Sequence, residues 1–369
     1  MSAEITSLTG LRGVAALTVF FSHASGHPYF STPWQDLGRI GVALFFVLSG
    51  FLMSYTTVDC TMESVSCRKL FWQKRFARIY PNYIVTLVLL YLVQTPCLGV
   101  PCEAAERVFV FPALFLSLFL LQAWVPFKVF ATYLNPPSWT LSDETFFYLC
   151  FPWLVQSLKS HPKSFLASAF LLCVLPTFLF AVCFPSNYLT AGMTDGFVDE
   201  FVLFRLGDFM CGMVAARSFQ PEHRPRAPLM RVLGTVIIPL FCVGILLASP
   251  FLVPGGYQAV FGNGLLSPLF AQIVWALALY PDSWLARLLS WAPIYRFGQI
   301  SYAFYLIHWS FHGFFGHQVS DEAYVVLWFF WTLAMGVCLH FFVERPAHRW
   351  LMSVKPWSCE CKTPPSSPV

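Results

Sequence analysis

Charged side chains are what this sequence lacks. Of its 369 residues, 11% are Asp, Glu, Lys or Arg, while 57% are apolar or aromatic; an ordinary soluble domain is about a quarter charged. So few charges cannot cover the surface of a water-soluble fold, and disorder requires the opposite composition, polar and highly charged. The strict alternation of barrel strands is missing too, because the apolar runs are long and continuous. No internal repeat, low-complexity domain or metal-ligand spacing is visible, so no metal is expected. The apolar run that begins at Leu11 has no basic start and no small-residue cleavage site, and it reads as a retained span. A net charge of +4 is too small to suggest a nucleic-acid partner.

What remains is an all-α polytopic transmembrane helix bundle, since a crossing takes about 20 apolar residues. Eleven apolar stretches qualify: 11–28, 39–56, 80–95, 108–124, 139–158, 164–184, 199–217, 230–249, 258–280, 298–318 and 323–343. Basic residues favour the cytoplasmic side. They cluster in a loop at 57–79 (Arg68, Lys69, Lys74, Arg75, Arg78), at 217–231, at Arg287 and Arg296, and beyond Arg345. Five apolar stretches lie between the first two clusters, and an odd number of crossings would separate them. One stretch should therefore not cross, and 108–124, followed by the irregular run from Pro126 to Pro137, is the candidate for a re-entrant or interfacial segment. About ten crossings with both termini cytoplasmic then place 18 of the 22 basic residues inside. The chain divides into a transmembrane domain, 1–350, and a short cytoplasmic tail, 351–369.

Ionisable residues within spans are costly and mark functional sites. Arg12 and His23 are 11 residues apart, about 16 Å along a helix axis and nearly on one face. A lone intramembrane His can equally make a plain helix–helix hydrogen bond. Ser49 and Gly50 sit near mid-span, where Gly50 lets a backbone or a ligand approach. Arg75 and Arg78 share a helical face and suit either an anionic-lipid anchor or a phosphate site. Thr140, Glu144 and Tyr148 share another, expected at the outer end of its span near the depth of His23; Asp143 and Glu144 can also be read as helix-start chemistry. Arg205 and Asp208 suit a structural ion pair. Ser301, Tyr305, His308 and His312 form one polar stripe, and Pro346 is expected to stop the last helix. Cys97 and Cys102 share a short outer loop and can form a disulfide if that side is oxidising; Cys359 and Cys361 in the tail can be lipidated or bind metal, although two thiols alone do not make a zinc site.

In this order the segments resemble the acyltransferase-3 family of multi-pass membrane acyltransferases. The resemblance rests on Leu8-Thr-Gly-Leu-Arg12-Gly with His23, Phe45-Phe-Val-Leu-Ser49-Gly-Phe51, and Arg75-Phe-Ala-Arg78-Ile-Tyr-Pro81. It continues through Ser138-Trp-Thr140-Leu with Glu144 and Tyr148, Gly298-x-Ile-Ser-Tyr302 with Tyr305 and His308, and Val343-Glu-Arg-Pro346. Thr140 departs from the usual Ser, as do the surroundings of Glu144 and the Cys97/Cys102 loop. The resemblance implies transfer of an acyl group from cytoplasmic acyl-CoA, acetyl-CoA in the first instance, to a hydroxyl-bearing acceptor, most often a carbohydrate. Acyl-CoA would be a substrate; no permanently bound cofactor is implied. On that reading Arg12, Arg75 and Arg78 bind the CoA phosphates. His23 is the general base or itself carries the acyl group, and Glu144 orients His23 or the acceptor. Ser49, Tyr305 and His308 position substrate, the last two as donors to the oxyanion. The rival class is a transporter or channel, which also uses intramembrane Arg, His and Asp.

Overall fold

The computed structural model describes residues 4–25, 37–57, 62–97, 104–125, 127–183, 200–219, 228–252, 264–311 and 321–354. Among them there is no strand. The helices are α1 (Thr6–Ser25), α2 (Leu37–Thr56), α3 (Val65–Cys97), α4 (Ala104–Leu118), α5 (Lys128–Ala131), α6 (Trp139–Ser160), α7 (Pro162–Cys183) and α8 (Val202–Arg217). They continue as α9 (Pro228–Val232), α10 (Ile238–Leu252), α11 (Ser267–Leu279), α12 (Trp284–Leu289), α13 (Ala292–Ile307), α14 (Asp321–Leu339) and α15 (Arg345–Ser353). The chain is all-α, as expected. Three continuous helical stretches, Leu37–Thr56, Pro228–Ile245 and Ala323–Ser353, are long and apolar enough to cross a membrane by themselves. Phe111, Phe170, Phe330 and Phe342 stand exposed on outer faces, a surface that suits lipid and not water. The Cys97/Cys102 pairing, His312, Cys359 and Cys361 fall on or depend on residues outside the described ones.

In lipid, tail-like side chains give no hydrophobic drive for helices to associate, so close packing has to hold them together. Two glycine seams supply it. Where α2 crosses α8, a Cβ on Gly50 would stand 2.0 Å from the Phe209 carbonyl oxygen, and one on Gly212 equally close to that of Val47. Where α1 crosses α13, a Cβ on Gly298 would stand 2.0 Å from the Thr9 carbonyl oxygen, and one on Gly13 only 3.1 Å from the Gly298 nitrogen. Aromatic rings fill the space beside the first seam: Phe147 stacks on Phe209 at 5.0 Å and meets Phe46 edge-on at 5.2 Å.

Residues 119–125 and 127–138 break the run of long helices. α4 is 15 residues long, and Leu120 and Leu134 adopt positive φ of 57° and 60°. Irregular backbone within a bundle persists only if its polar groups find partners. Several do here: Ser142 donates to the Leu120 carbonyl, Gln122 to Ser138 and Tyr305 to Pro137, while Tyr83 donates to Ser117 in the last turn of α4. In return, Asn135 donates to the carbonyl of Leu306 on α13.

Three local expectations need correction. The basic stretch 57–79 is mostly helix, because α3 starts at Val65 and runs through Pro81; its first turns carry the arginines. Asp143 and Glu144 are not helix-start residues, since α6 opens at Trp139 after the turn Pro136–Ser138, and Ser142 is buried against Leu120. Pro346 does not stop the last helix. A π-helical turn, His340–Glu344, leads without a break into α15, so the helix runs on through Pro346, and the ladder bond that proline cannot make falls beside that widened turn.

Gly50→Val should cost at least the 1–3 kcal/mol typical of overpacking. The expected result is a lower unfolding midpoint in detergent; a midpoint equal to wild type would show that the seam is not tight.

Candidate functional site

A cavity of about 730 Å³, counting its open mouth, lies between α1, α2, α3, α6 and α13. Arg12 comes from α1, Ser49 with Phe45 and Phe46 from α2, Arg75 and Arg78 from α3, Glu144 and Tyr148 from α6, and Tyr302 and Tyr305 from α13. Glu144 accepts a hydrogen bond from Tyr148 Oη at 3.0 Å. The Arg75 guanidinium lies 5.4 Å from the ring centre of Phe71 and 5.9 Å from that of Tyr148, and its Nε is buried without a hydrogen bond. None of the ion pairs among the described residues includes Arg12, Arg75 or Arg78. Three cations therefore surround one carboxylate in a largely apolar setting, and a buried cation without a counter-charge is costly. The cavity is electrostatically incomplete and suited to an anion of more than one charge.

His23 and His308 lie at the far end of the same α1–α13 seam. Eleven residues, about 16 Å of helix, separate His23 from Arg12, and on α13 the sequence climbs from Tyr302 through Tyr305 to His308. The Nδ1 of His23 is 2.8 Å from Nε2 of His308. His308 Nδ1 contacts the Tyr305 carbonyl oxygen at 2.5 Å. Trp328 Nε1 donates to the His308 carbonyl at 2.6 Å, and Trp309 sets its ring edge-on against His23 at 4.9 Å. Tyr305 joins the two regions. Its ring lines the cavity, its hydroxyl contacts Thr140 and the Pro137 carbonyl, and its own carbonyl meets His308.

The structure thus brings Arg12, Arg75, Arg78, Glu144, Ser49 and Tyr305 into one cavity, and pairs His23 with His308 one turn beyond Tyr305. Glu144 does not stand at the level of His23. α6 begins inside the bundle, with Thr140 against Tyr305, so the next turn carries Glu144 away from the histidines and toward the arginines. Two contributors escaped the sequence reading. Tyr302, quoted only as part of a motif, lines the cavity and donates to the Ile79 carbonyl at 2.7 Å. Trp328, which fixes His308, is one of 13 tryptophans and carries no local signal.

Behind the cavity wall lies a separate polar cluster. Arg205 is 3.4 Å from Asp208, as expected from their spacing, and Ser267 donates to the other Asp208 oxygen. The guanidinium also lies over the rings of Phe46 and Trp139. Asp143, fully buried and without a hydrogen bond to either oxygen, lies within the field of Arg205.

Fold and site together define a membrane-type helical bundle that gathers unpaired arginines at one end of a seam and a histidine pair at the other. The chain belongs to the acyltransferase family whose model, described as an acyltransferase domain, matches residues 5–354. It is 30% identical to the acyltransferase MdmB of Streptomyces mycarofaciens, over 96% of this chain and 94% of that protein. It is 23% identical to the O-acetyltransferase OatA of Staphylococcus aureus, over 83% of this chain and 50% of OatA. It is 26% identical to the peptidoglycan O-acetyltransferase OatA of Listeria monocytogenes, over 83% of this chain and 49% of that protein. The chain spans about half the length of those OatA proteins. No solved structure matches. The protein is an acyltransferase, and the transporter or channel reading is set aside.

Removing Arg205 leaves Asp208 and Asp143 buried without their cation, which should cost about 3–5 kcal/mol. Arg205→Ala is expected to lower the unfolding midpoint sharply, and Arg205→Met combined with Asp208→Asn to recover part of the loss. An unchanged midpoint in Arg205→Ala would remove the pair from the structural framework.

Proposed function

We propose that this acyltransferase moves an acyl group, acetyl in the first instance, from cytoplasmic acyl-CoA to a hydroxyl of a carbohydrate or glycoconjugate acceptor. The observation that carries this reading is the cavity with three unpaired arginines and one carboxylate, joined through Tyr305 to the His23–His308 pair. CoA is rich in phosphate, and guanidinium forks match phosphate oxygens. Its pantetheine arm is long and thin enough to follow the seam from Arg12 toward His23. The O-acetyltransferase relatives favour a hydroxyl acceptor.

In the reaction, the acceptor oxygen attacks the thioester carbonyl and a C–O bond forms. His23 takes the hydroxyl proton as general base. The C–S bond breaks, and the CoA thiolate leaves and takes up the proton that His23 accepted. Glu144, bonded to Tyr148 and among the arginines, keeps the cationic cavity from excess positive charge and orients the donor. Ser49 and Tyr305 line its path.

About ten crossings with both termini cytoplasmic fit this chemistry, because Arg12, Arg75 and Arg78 then face the CoA supply. The short α4 and the side-chain bonds to the Leu120 and Ser138 carbonyls support a re-entrant segment that does not cross.

Purified protein in lipid nanodiscs, supplied with labelled acetyl-CoA and a panel of glycans, glycolipids and small alcohols, should transfer label to oxygen. His23→Ala should lower kcat by at least about 10²-fold, while Arg12→Ala should chiefly raise KM for acetyl-CoA. Transfer by folded His23→Ala at the wild-type rate would overturn the assignment of the base.

A further inference from the structure

We infer that His308 is a positioning residue that holds His23 in the tautomer with its proton on Nδ1, leaving the reactive lone pair on Nε2. The inference deepens the proposed function and rests on it for the catalytic role of His23.

The proton positions follow from the contacts in order. A carbonyl oxygen can only accept, so the Nδ1 of His308 must carry the proton it donates to Tyr305. In a neutral imidazole the other nitrogen is then an acceptor. The Nε2 of His308 therefore accepts, and its partner at 2.8 Å, Nδ1 of His23, donates. That fixes the remaining nitrogen of His23 as the basic one. The ring geometry suits such a bond. The planes are 18° apart with centroids 5.0 Å apart, so with nitrogens at 2.8 Å the rings meet edge to edge.

His308 is itself held. It is 1% exposed, its backbone carbonyl accepts from Trp328, and Phe20 packs against its ring. With one nitrogen on Tyr305 and the other on His23, its ring bonds are directed at the protein. Orienting the base, rather than donating to the oxyanion, is the role this geometry supports. Protonation of His308 would reverse the relay by making its Nε2 a donor, so the neutral form is the one that prepares His23.

Two substitutions separate orientation from packing. In His308→Gln the side-chain amide oxygen can take the place of Nε2 and accept from His23; in His308→Phe the shape is kept and the acceptor is lost. With labelled acetyl-CoA, His308→Phe is expected to lose about 10²-fold in kcat, with KM for acetyl-CoA nearly unchanged. His308→Gln should retain most of the rate. Wild-type kcat in His308→Phe, or equal losses in the two variants, would overturn the inference. A second readout needs no turnover: ¹⁵N spectra of histidine-labelled wild-type protein should show His23 protonated on Nδ1. Protonation on Nε2 would refute the relay even if a variant failed to fold. If the wild-type protein transferred no acyl group at all, the proposed function would fail, while the spectrum would still decide the tautomer.

Discussion

The architecture depends on how closely α1 approaches α13. Gly13 and Gly298 allow backbone-to-backbone contact there, and any side chain on Gly298 would collide with the Thr9 carbonyl. That one approach places Arg12 opposite Tyr302 and Tyr305 in the cavity and brings His23 within hydrogen-bond reach of His308. A helix pair a few ångströms wider would leave both histidines in place on their own helices, yet apart. The second seam, Gly50 against Gly212, has the same character and fixes the α2 wall that presents Ser49 and Phe45. Packing in lipid depends on such contacts because burial of apolar surface gives little drive between helices.

The same low-dielectric setting separates two groups of charge. Arg205 has Asp208 at 3.4 Å, with Ser267 supporting the carboxylate and aromatic faces beside the guanidinium. Its counter-charge is supplied within the protein. Among the described residues Arg12, Arg75 and Arg78 have no ion-pair partner, and the carboxylate that shares their cavity, Glu144, is engaged with Tyr148. Cations in that condition suit a ligand that brings the missing charge, so the proposed donor site is the cavity and not the more deeply buried Arg205.

Much of this was legible from residue order, and the boundary of legibility has a physical basis. Apolar runs mark helices because a crossing has a fixed length, and a fixed rise of 1.5 Å places Arg12 and His23 on one face at a known separation. Gly50 signalled a close approach that α8 supplies. The position of Glu144 was not legible, because it depends on where α6 starts. That in turn depends on the chain just before it, held by side chains of Gln122, Asn135 and Ser142 on scattered carbonyls, with no periodicity to announce them. The pairing of His23 with His308 was hidden for a related reason: 285 residues separate them, and only the glycine seam brings them together. Pro346 misled because the helix passes through it, by way of the π-helical turn His340–Glu344, instead of ending there.

The account stands most directly on where acyl-CoA lies. A cryo-electron microscopy map of the protein in nanodiscs with a non-hydrolysable acetyl-CoA analogue would show it. The expected map has the phosphates within hydrogen-bond reach of Arg12, Arg75 and Arg78, and the pantetheine arm running along the α1–α13 seam with the acyl group beside His23. Phosphates bound elsewhere, or an acyl group held away from the histidine pair, would contradict it.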